Sequence, residues 1–421
     1  MRHHPRLTRL GSTLAGGLLL NATALASGLI LYEIATPDAA LSGAGAAARA
    51  GDAATVFTNP AGMSQLEEAQ FLGGLQVLYG SVSFTPDAAT SPRLGAGDGG
   101  NALGWLPAAS TFVVVPLGEK WRAGFGALSY FGLAEEFDEN WVGRYYVQKG
   151  TLLGLSLTPS LSYAITDWLS LGGGLNAMYG VLDTEVAVNN GVGPDGQMAL
   201  KDQTWGFGGN VGVLVKVGEK TRLGVTYLSP VDLDFRDTPA FSGLGPGLSV
   251  LLANPAALDL GMTVPQTVML SGYRTLSDRW ALLANVGWQN WNDFGYVEAG
   301  VEHAGTTTLD LAYQDTWHGA LGAQYQASRN WLLSGGFAYD SSPVDSEDRT
   351  VTLPLGEQWR FSLGAQYQLS RSLSVGAATT FLWAGDLAVD QGDPSSLRGR
   401  VSGAFDDAWF VLMNLNLNWK F

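Results

Sequence analysis

The sequence predicts an all-β protein: a fourteen-stranded antiparallel transmembrane β-barrel with an N-terminal hatch, a plug segment, inside its lumen. Three observations support this fold. Apolar and polar residues alternate in long segments from about residue 68 to the C terminus. Short polar turns alternate with longer loops. Beyond residue 26, no unbroken apolar run reaches the roughly 18 to 20 residues that a membrane-spanning helix needs.

The N terminus has the pattern of a secretory signal peptide, which we assign to residues 1–26. Three arginines precede the apolar stretch LGSTLAGGLLLNATALA, which ends in the small residues Ala24 and Ala26. Removing these three from the 23 basic residues leaves 20 against 38 acidic residues, a net charge of −18. Such an acidic chain lacks the basic surface that nucleic acid requires, so we expect no nucleic-acid partner. The chain has no cysteine, which excludes a disulfide framework and a thiol nucleophile.

The barrel is assigned to residues 68–421, and its strands are counted from their connections. Six tight turns and seven longer loops make thirteen connections, hence fourteen strands. The tight turns lie at 116 to 121, 164 to 169, 217 to 222, 275 to 280, 327 to 332 and 369 to 374. The longer loops lie at about 87 to 105, 132 to 150, 189 to 201, 236 to 264, 299 to 307, 341 to 356 and 389 to 407. Outer-membrane barrels have this asymmetry, with short periplasmic turns and long extracellular loops.

The last strand shows the alternation most clearly. Every second residue from Trp409 to Phe421 is apolar, whereas Asn414, Asn416 and Asn418 fall on the opposite face. A soluble β-sandwich also alternates, but its strands average about five or six residues, and the strands here are about twice as long. Strands in a bilayer must pair on both sides, so we expect the barrel to close and Phe421 to be presented to the barrel assembly machinery.

Residues 27–67 precede the barrel and do not alternate. They are rich in alanine and glycine, which suits a plug that packs tightly inside the lumen. The stretch TNPAG contains Asn59, Pro60 and Ala61; Pro60 fixes its own φ, and Asn59 is placed to hydrogen-bond nearby backbone. A plain surface turn is the alternative interpretation of this stretch.

Four stretches of the chain resemble the FadL family of outer-membrane transporters, which carry long-chain fatty acids and other hydrophobic compounds. They lie at 42 to 63, 129 to 137, 264 to 294 and 313 to 354. The resemblance implies a fourteen-stranded barrel with an N-terminal hatch whose Asn-Pro-Ala motif is Asn59, Pro60 and Ala61. It also implies that a hydrophobic substrate is caught among extracellular loops, enters a pocket in the barrel, and leaves after the hatch moves. Sideways exit through the wall and axial exit are both compatible with the sequence.

The resemblance gives candidate positions for a substrate groove and a wall opening. The long loop at 236 to 264 contains an apolar segment, and an exposed apolar patch marks a binding site unless it packs onto the barrel mouth. Its groove candidates are Phe241, Leu244, Leu248, Val250, Leu251 and Leu252. In the third strand, a wall opening of the family type falls near Phe131 and Gly132, where glycines suit a bulge or kink. The alternative is that these glycines only relieve crowding inside the barrel.

Recognition of a substrate carboxylate requires a cation facing the pocket. Arg144 and Lys149 are the candidates, with solvated loop charges as the alternative. Two positions where the family resemblance suggests a basic residue carry none: Gln314, and Leu182 or Asp183. These departures leave neutral hydrocarbons or aromatic compounds open as substrates.

Other functional classes find little support in the sequence. A barrel enzyme needs a nucleophile, a base and an orienting group, but after the signal peptide only His303 and His318 remain as histidine bases, and there is no G-x-S-x-G motif. Two histidines without cysteine also make a poor zinc site, so no metal and no cofactor are expected. A polar diffusion porin is disfavoured because the hatch-like segment precedes the barrel.

We expect the chain to reside in the outer membrane of a Gram-negative cell, where its partners include membrane lipid and lipopolysaccharide. Two acidic stretches, at 134 to 140 and 340 to 348, are expected to face outward. They either bind divalent cations shared with lipopolysaccharide or form a solvated acidic surface.

Overall fold

The structure is a computed structural model that describes residues 30–302 and 305–421. The predicted signal peptide, the first three residues of the predicted hatch and His303 lie outside the described residues.

Within the described residues, fourteen antiparallel strands form one closed barrel, as the sequence predicts. The barrel strands are β1 (Gln70–Pro86), β2 (Gly104–Leu117), β3 (Trp121–Glu136), β4 (Lys149–Ala164), β5 (Leu169–Val188), β6 (Gly196–Val217), β7 (Thr221–Leu228), β11 (Thr267–Thr275), β12 (Trp280–Gln289), β15 (Thr316–Gln326), β16 (Trp331–Asp340), β17 (Gln358–Gln368), β18 (Leu373–Gln391) and β19 (Val401–Lys420). Pairing of β5 with β6 and of β1 with β19 closes the ring. Closure gives every barrel strand a paired neighbour on each side over part of its length.

The barrel strands alternate between a lipid-facing and an inward-facing side. In β19, Met413 and Leu415 are 44% and 63% exposed, whereas Asn414 and Asn416 are 3% and 6% exposed. Toward the extracellular end, the inward positions become apolar, as at Phe410 and Leu412. The alternation predicted for the last strand is therefore present, with an interior that changes from polar to apolar along the strand.

All six predicted tight turns connect barrel strands, but several predicted loops have other bounds. The connection predicted at 299 to 307 runs from 290 to 315, and the one predicted at 236 to 264 begins at 229. Both connections contain strands of their own, because their alternating segments pair with each other at the loop end of the barrel. These additional strands are β8 (Val231–Asp237), β9 (Ala240–Ser242), β10 (Leu258–Val264), β13 (Tyr296–Val301) and β14 (Gly305–Asp310). Four of them form a second sheet in the order β14, β13, β10, β8.

Lipid-facing aromatic pairs mark the two ends of the barrel wall. At the turn end they include Trp121 with Tyr163, Trp280 with Tyr325, and Trp331 with Tyr367, with ring centroids 4.6, 4.6 and 4.7 Å apart. At the loop end they include Tyr79 with Trp105, Tyr179 with Trp205, and Tyr339 with Trp359, with ring centroids 4.8, 5.2 and 4.6 Å apart. Aromatic belts of this kind sit at the two membrane–water interfaces.

The helices of the described residues are short. They are Pro37–Leu41, Ala46–Arg49, Thr55–Thr58, Pro60–Gln65, Pro92–Leu94, Pro246–Leu251 and Trp291–Phe294. No helix in this part of the chain has the length and apolar character needed to cross a bilayer.

Candidate functional site: the barrel interior

The N-terminal plug, residues 30 to 66, lies inside the barrel. Its helix Pro37–Leu41 contacts β15 to β18, and Ala46–Arg49 contacts β6, β7 and β11. Pro60–Gln65 contacts β3 to β6 on another part of the wall. A segment that touches strands all around the ring fills the lumen.

Glycines on the inner wall allow the plug to approach the strands closely. A Cβ atom at Gly74, Gly224 or Gly336 would overlap the backbone of Ala35, Ala47 or Leu41 respectively. Gly172 meets the backbone of Pro60 and Ala61 in the same way. These glycines are needed for close approach of two backbones.

Asn59 joins three parts of the site. Its side-chain nitrogen donates to the carbonyl oxygens of Ala47, at 2.6 Å, and Val213 of the wall, at 3.1 Å. Its side-chain oxygen accepts from the backbone N–H of Ala61 at 3.1 Å, at the start of the Pro60–Gln65 helix. The Asn-Pro-Ala motif thus lies buried between the plug and the wall, not in a surface turn.

A buried ionic cluster joins the plug to β16 and β17. Arg360 donates to Glu33 of the plug at 2.6 Å and to Asp340 of the wall at 2.9 Å. His318 Nδ1 lies 2.8 Å from Asp340, and its ring lies 4.1 Å from the ring of Tyr32. Arg360 is 2% exposed and Glu33 is fully buried. Because both charges are removed from water, each depends on its partners.

On the side of β3 to β6, the extracellular half of the interior is apolar. Buried side chains of β3 to β6 and β8 pack there into one group, which we call the apolar cluster. Its members are Leu128, Tyr130, Phe131, Leu133, Leu152, Met178, Leu182, Val186, Met198, Leu200, Leu233 and Phe235. This interior offers a hydrophobic molecule a large apolar contact area.

The loop between β3 and β4 folds inward over the apolar cluster. Trp141 is fully buried; its ring stacks on Phe137 with centroids 3.8 Å apart, and its Nε1 donates to the Val147 carbonyl oxygen at 2.7 Å. The loop between β16 and β17 also turns inward, with Val351 and Leu353 fully buried. The extracellular mouth is therefore covered by apolar loop residues.

The residues predicted to form the substrate groove lie above this interior and differ in exposure. Phe241, Leu244 and Leu248 are partly buried and pack against the hydrophobic core of the protein. Val250 is 79% exposed, whereas Leu252 is 4% exposed. Leu251 is half-buried at the end of the helix Pro246–Leu251. The segment thus has one face on the barrel mouth and one exposed apolar side chain.

Arg144 and Lys149, predicted to contact a carboxylate, both have acidic partners. Arg144 Nε donates to Asp195 at 2.9 Å, and its Nη1 donates to the carbonyl oxygens of Leu94 and Trp141. Burial and the hydrogen bond to Asp195 raise the pKa of Tyr145, the next residue, to about 12. This loop network occupies the Arg144 guanidinium.

Lys149 is engaged in a second acidic contact. Its Nζ lies 3.5 Å from Asp183, which also accepts from Lys201 at 2.9 Å. Gln314 donates toward Asp345 at 3.3 Å. A substrate carboxylate would therefore have to compete with Asp195 or Asp183 for either predicted cation.

The barrel wall is incompletely paired where the opening was predicted. Pairing between β2 and β3 ends at Ser110 and Leu128, so residues 104 to 109 of β2 have no strand partner on that side within the described chain. The β3 register shifts between Ser129 and Phe131, and Gly132 has φ of 135°. We call the space between residues 104 to 109 of β2 and residues 129 to 136 of β3 the wall gap.

The plug begins at the wall gap. Ile30 bridges to Phe131, and the N–H of Leu31 donates to the carbonyl oxygen of Tyr130 at 2.9 Å. Pro107, which has no N–H to donate, lies on the unpaired stretch of β2. Pro107 removes one donor from this stretch, whereas the predicted opening is placed by the family resemblance and by the glycines of β3.

The ionic cluster was also missed from the sequence. Arg360 occupies an inward position of an alternating strand, which signals a buried partner. That partner, Glu33, is 327 residues distant in the chain, so no local pattern identifies it. No group of three or more metal-ligating side chains occurs among the described residues.

These features define an outer-membrane transport barrel with a filled lumen. Residues 17–421 match the family described as outer membrane protein transport protein (OMPP1/FadL/TodX), and the chain belongs to this family. It is therefore a multi-pass outer-membrane transport protein and not an enzyme.

Two characterised relatives are similar over most of their length. Outer membrane protein P1 of Haemophilus influenzae is 30% identical over an alignment of 461 positions. The alignment covers 97% of this chain and 99% of the relative. A long-chain fatty acid transport protein of Escherichia coli is 27% identical over 369 residues, which cover 80% of this chain and 82% of the relative.

Solved structures with the same fold include two from Pseudomonas. A Pseudomonas aeruginosa FadL homologue has a TM-score of 0.85 at 22% identity, over 94% of this chain and 100% of that chain. The Pseudomonas putida toluene transporter TodX has a TM-score of 0.68 at 18% identity, over 94% of this chain and 99% of that chain. At these identities the likeness concerns the fold alone.

Proposed function

We propose that this barrel transports long-chain hydrophobic molecules, fatty acids among them, across the outer membrane without energy input. The observation that carries the proposal is the apolar cluster in the extracellular half of the interior, which borders the wall gap through Tyr130, Phe131 and Leu133. A hydrophobic molecule held there lies next to a stretch of the described wall that lacks strand pairing. The names of the fatty-acid transport relatives support this substrate class.

In this proposal, the apolar loop segment around Leu248 captures the molecule, and the plug acts as the hatch. The Asn59, Pro60 and Ala61 motif holds the hatch against the wall. Release of Ile30 and Leu31 from β3 frees the wall gap, and the molecule leaves sideways into the bilayer. Gly132 supports this route because its positive φ maintains the distortion of β3.

The wider partners follow from the same location. We propose that the lipid-facing aromatic belts contact membrane lipid and that the extracellular loops face lipopolysaccharide. Phe421, which is 59% exposed at the turn end, is proposed to be read by the barrel assembly machinery.

Neutral hydrocarbons are a second candidate substrate class. They are favoured by the acidic partners of Arg144 and Lys149, which leave neither cation free for a carboxylate. The test is equilibrium binding of labelled palmitate to the purified protein in detergent, in competition with hexadecane, for the wild type and Arg144→Ala. Palmitate preference that disappears in Arg144→Ala assigns carboxylate reading to Arg144. Equal competition by hexadecane in both proteins assigns a neutral substrate class.

Sideways delivery has its own readout. Transfer of a fluorescent fatty acid into liposomes that contain the protein is compared for the wild type and Gly132→Val. A Cβ at Gly132 would overlap the Leu152 carbonyl oxygen and would strain the backbone. We expect binding to persist and transfer to fall at least tenfold. Unchanged transfer would exclude the wall gap as the exit.

A further inference from the structure

Glu135 is a buried carboxyl group at the extracellular end of β3, on the inward face of the strand. It is 3% exposed, and its neighbours on the same face, Leu133 and Phe137, are 2% and 4% exposed. Glu136, the next residue, lies on the opposite face and is exposed. The strand therefore directs one of two adjacent carboxylates into the apolar interior and the other out of it.

Within residues 30–302 and 305–421, Glu135 has no partner for its charge. Its Oε1 atom is buried without a hydrogen bond, and no charged side chain of the described residues offsets its burial. Across the sheet it is in register with Gly150, which in turn pairs with Thr184. Gly150 contributes no side chain, and the Thr184 hydroxyl donates to the Lys149 carbonyl oxygen instead, at 3.3 Å.

The cation adjacent to Glu135 in the strand register is engaged elsewhere. Lys149 is one register position away, opposite Glu136, and its Nζ is directed to Asp183. An ionised carboxylate at Glu135 would be removed from water without a cation or donor, which is costly. The neutral carboxylic acid loses less hydration free energy on burial, and it can both donate and accept a hydrogen bond.

A buried polar group in this position costs free energy unless a ligand supplies its hydrogen-bond partner. The surrounding apolar cluster is the interior proposed above to hold the hydrophobic molecule. We propose that Glu135 anchors the polar head of that molecule and selects a neutral hydrogen-bonding head, such as a hydroxyl, over a carboxylate anion. This inference rests on the proposed function and narrows its substrate class.

The proposed selectivity against the alkane and the proposed selectivity against the carboxylate have separate physical causes. A hydroxyl head exchanges a hydrogen bond with the neutral Glu135 side chain, whereas an alkane leaves that side chain unpartnered. A carboxylate head would bring a negative charge to a position that holds an acid and no cation, which disfavours the charged form. The site therefore favours long-chain alcohols over both the alkane and the acid anion.

The test is displacement of a fluorescent fatty-acid probe from purified, detergent-solubilised protein by dodecanol, dodecane, dodecanoate and dodecylamine at pH 8. The proteins are the wild type, Glu135→Gln, Glu135→Leu and the matched control Glu136→Gln. Far-ultraviolet circular dichroism and heat-modifiable migration verify that each variant keeps its barrel.

We expect dodecanol to bind the wild type roughly fivefold more tightly than dodecane, the value of one net hydrogen bond. Glu135→Gln retains this preference because an amide also donates and accepts. Glu135→Leu loses it while still binding dodecane, and Glu136→Gln behaves like the wild type.

Three results would overturn the inference. Alcohol preference that survives in Glu135→Leu shows that another group reads the head. Tightest binding of dodecylamine, lost in Glu135→Gln, shows that the site takes a cation. Equal binding of alcohol and alkane to the wild type removes the head-group site but leaves the proposed function intact, whereas failure of every ligand, dodecane included, removes both.

Discussion

The two halves of the barrel interior are built from different interactions. In the polar half, the wall formed by the barrel strands from β11 to β18, side chains such as Ser271, Asn285 and Ser362 make directional hydrogen bonds to the plug, and the ionic cluster lies on the same wall. A polar cavity of about 280 Å³ also borders this wall, lined largely by glutamine, asparagine, serine and arginine side chains. In the apolar half, on the side of β3 to β6 and β8, the interior is filled by aliphatic and aromatic side chains of the apolar cluster.

The difference separates positioning from binding. Hydrogen bonds are directional, and a partner left without one pays a desolvation cost, so the polar half holds the plug in one arrangement. Apolar packing is non-directional and scales with contact area, so the other half can exchange loop contacts for a hydrophobic molecule. The plug is thus held in place by hydrogen bonds, whereas the substrate is bound by apolar contacts.

The largest expected effect comes from the glycine wall. In Gly224→Val, the new side chain overlaps the Ala47 carbonyl oxygen, so the plug cannot keep its place against β7. We expect a steady open current in planar bilayers where the wild type is closed. The control is Gly319→Val, because Gly319 has open space around its Cβ position. A closed Gly224→Val barrel would show that the plug does not depend on this close approach.

The intermediate effect concerns the ionic cluster. Arg360→Met leaves the buried Glu33 and the half-buried Asp340 without their cation, which we expect to cost about 3 to 5 kcal/mol of unfolding free energy. Adding Glu33→Gln removes one of the stranded charges and should recover part of the loss. Urea unfolding in detergent measures both, with Arg329→Met, at an exposed turn arginine, as the control.

An Arg360→Met protein as stable as the Arg329→Met control would contradict the positioning role of the polar half. It would also mean that the plug is held by packing alone, like the side chains of the apolar half.

The sequence predicted the barrel because its pattern is local. Alternation in a strand such as β19 and a turn such as 164 to 169 are readable within a few residues, and together they give the strand number. The second sheet was not predicted because Val231–Asp237 alternates like a barrel strand. Whether such a segment joins the barrel or pairs with Leu258–Val264 depends on partners outside the segment.

The site was less predictable because its residues also depend on partners that are distant in the sequence. The Asn59 motif was identified through a family resemblance, but its partner Val213 is 154 residues away. Arg144 was a candidate because of its charge, and only the fold shows that its guanidinium forms an ion pair with Asp195. Glu135 lies in the acidic stretch at 134 to 140, which was expected to face outward. Strand alternation instead turns Glu135 inward and Glu136 outward.

The smallest expected effect comes from the apolar half. Met198 in β6 is fully buried in the apolar cluster, and Met198→Leu keeps its volume and apolar character. Such exchanges usually cost less than about 1.5 kcal/mol, so we expect unfolding free energy and hydrophobic-ligand affinity to stay near wild type. If Met198→Leu were as costly as Arg360→Met, the apolar half would be as specifically packed as the polar half. An interior of that kind would have to open before it could admit a ligand, and capture would then depend on loop movement rather than on exchange of apolar contacts.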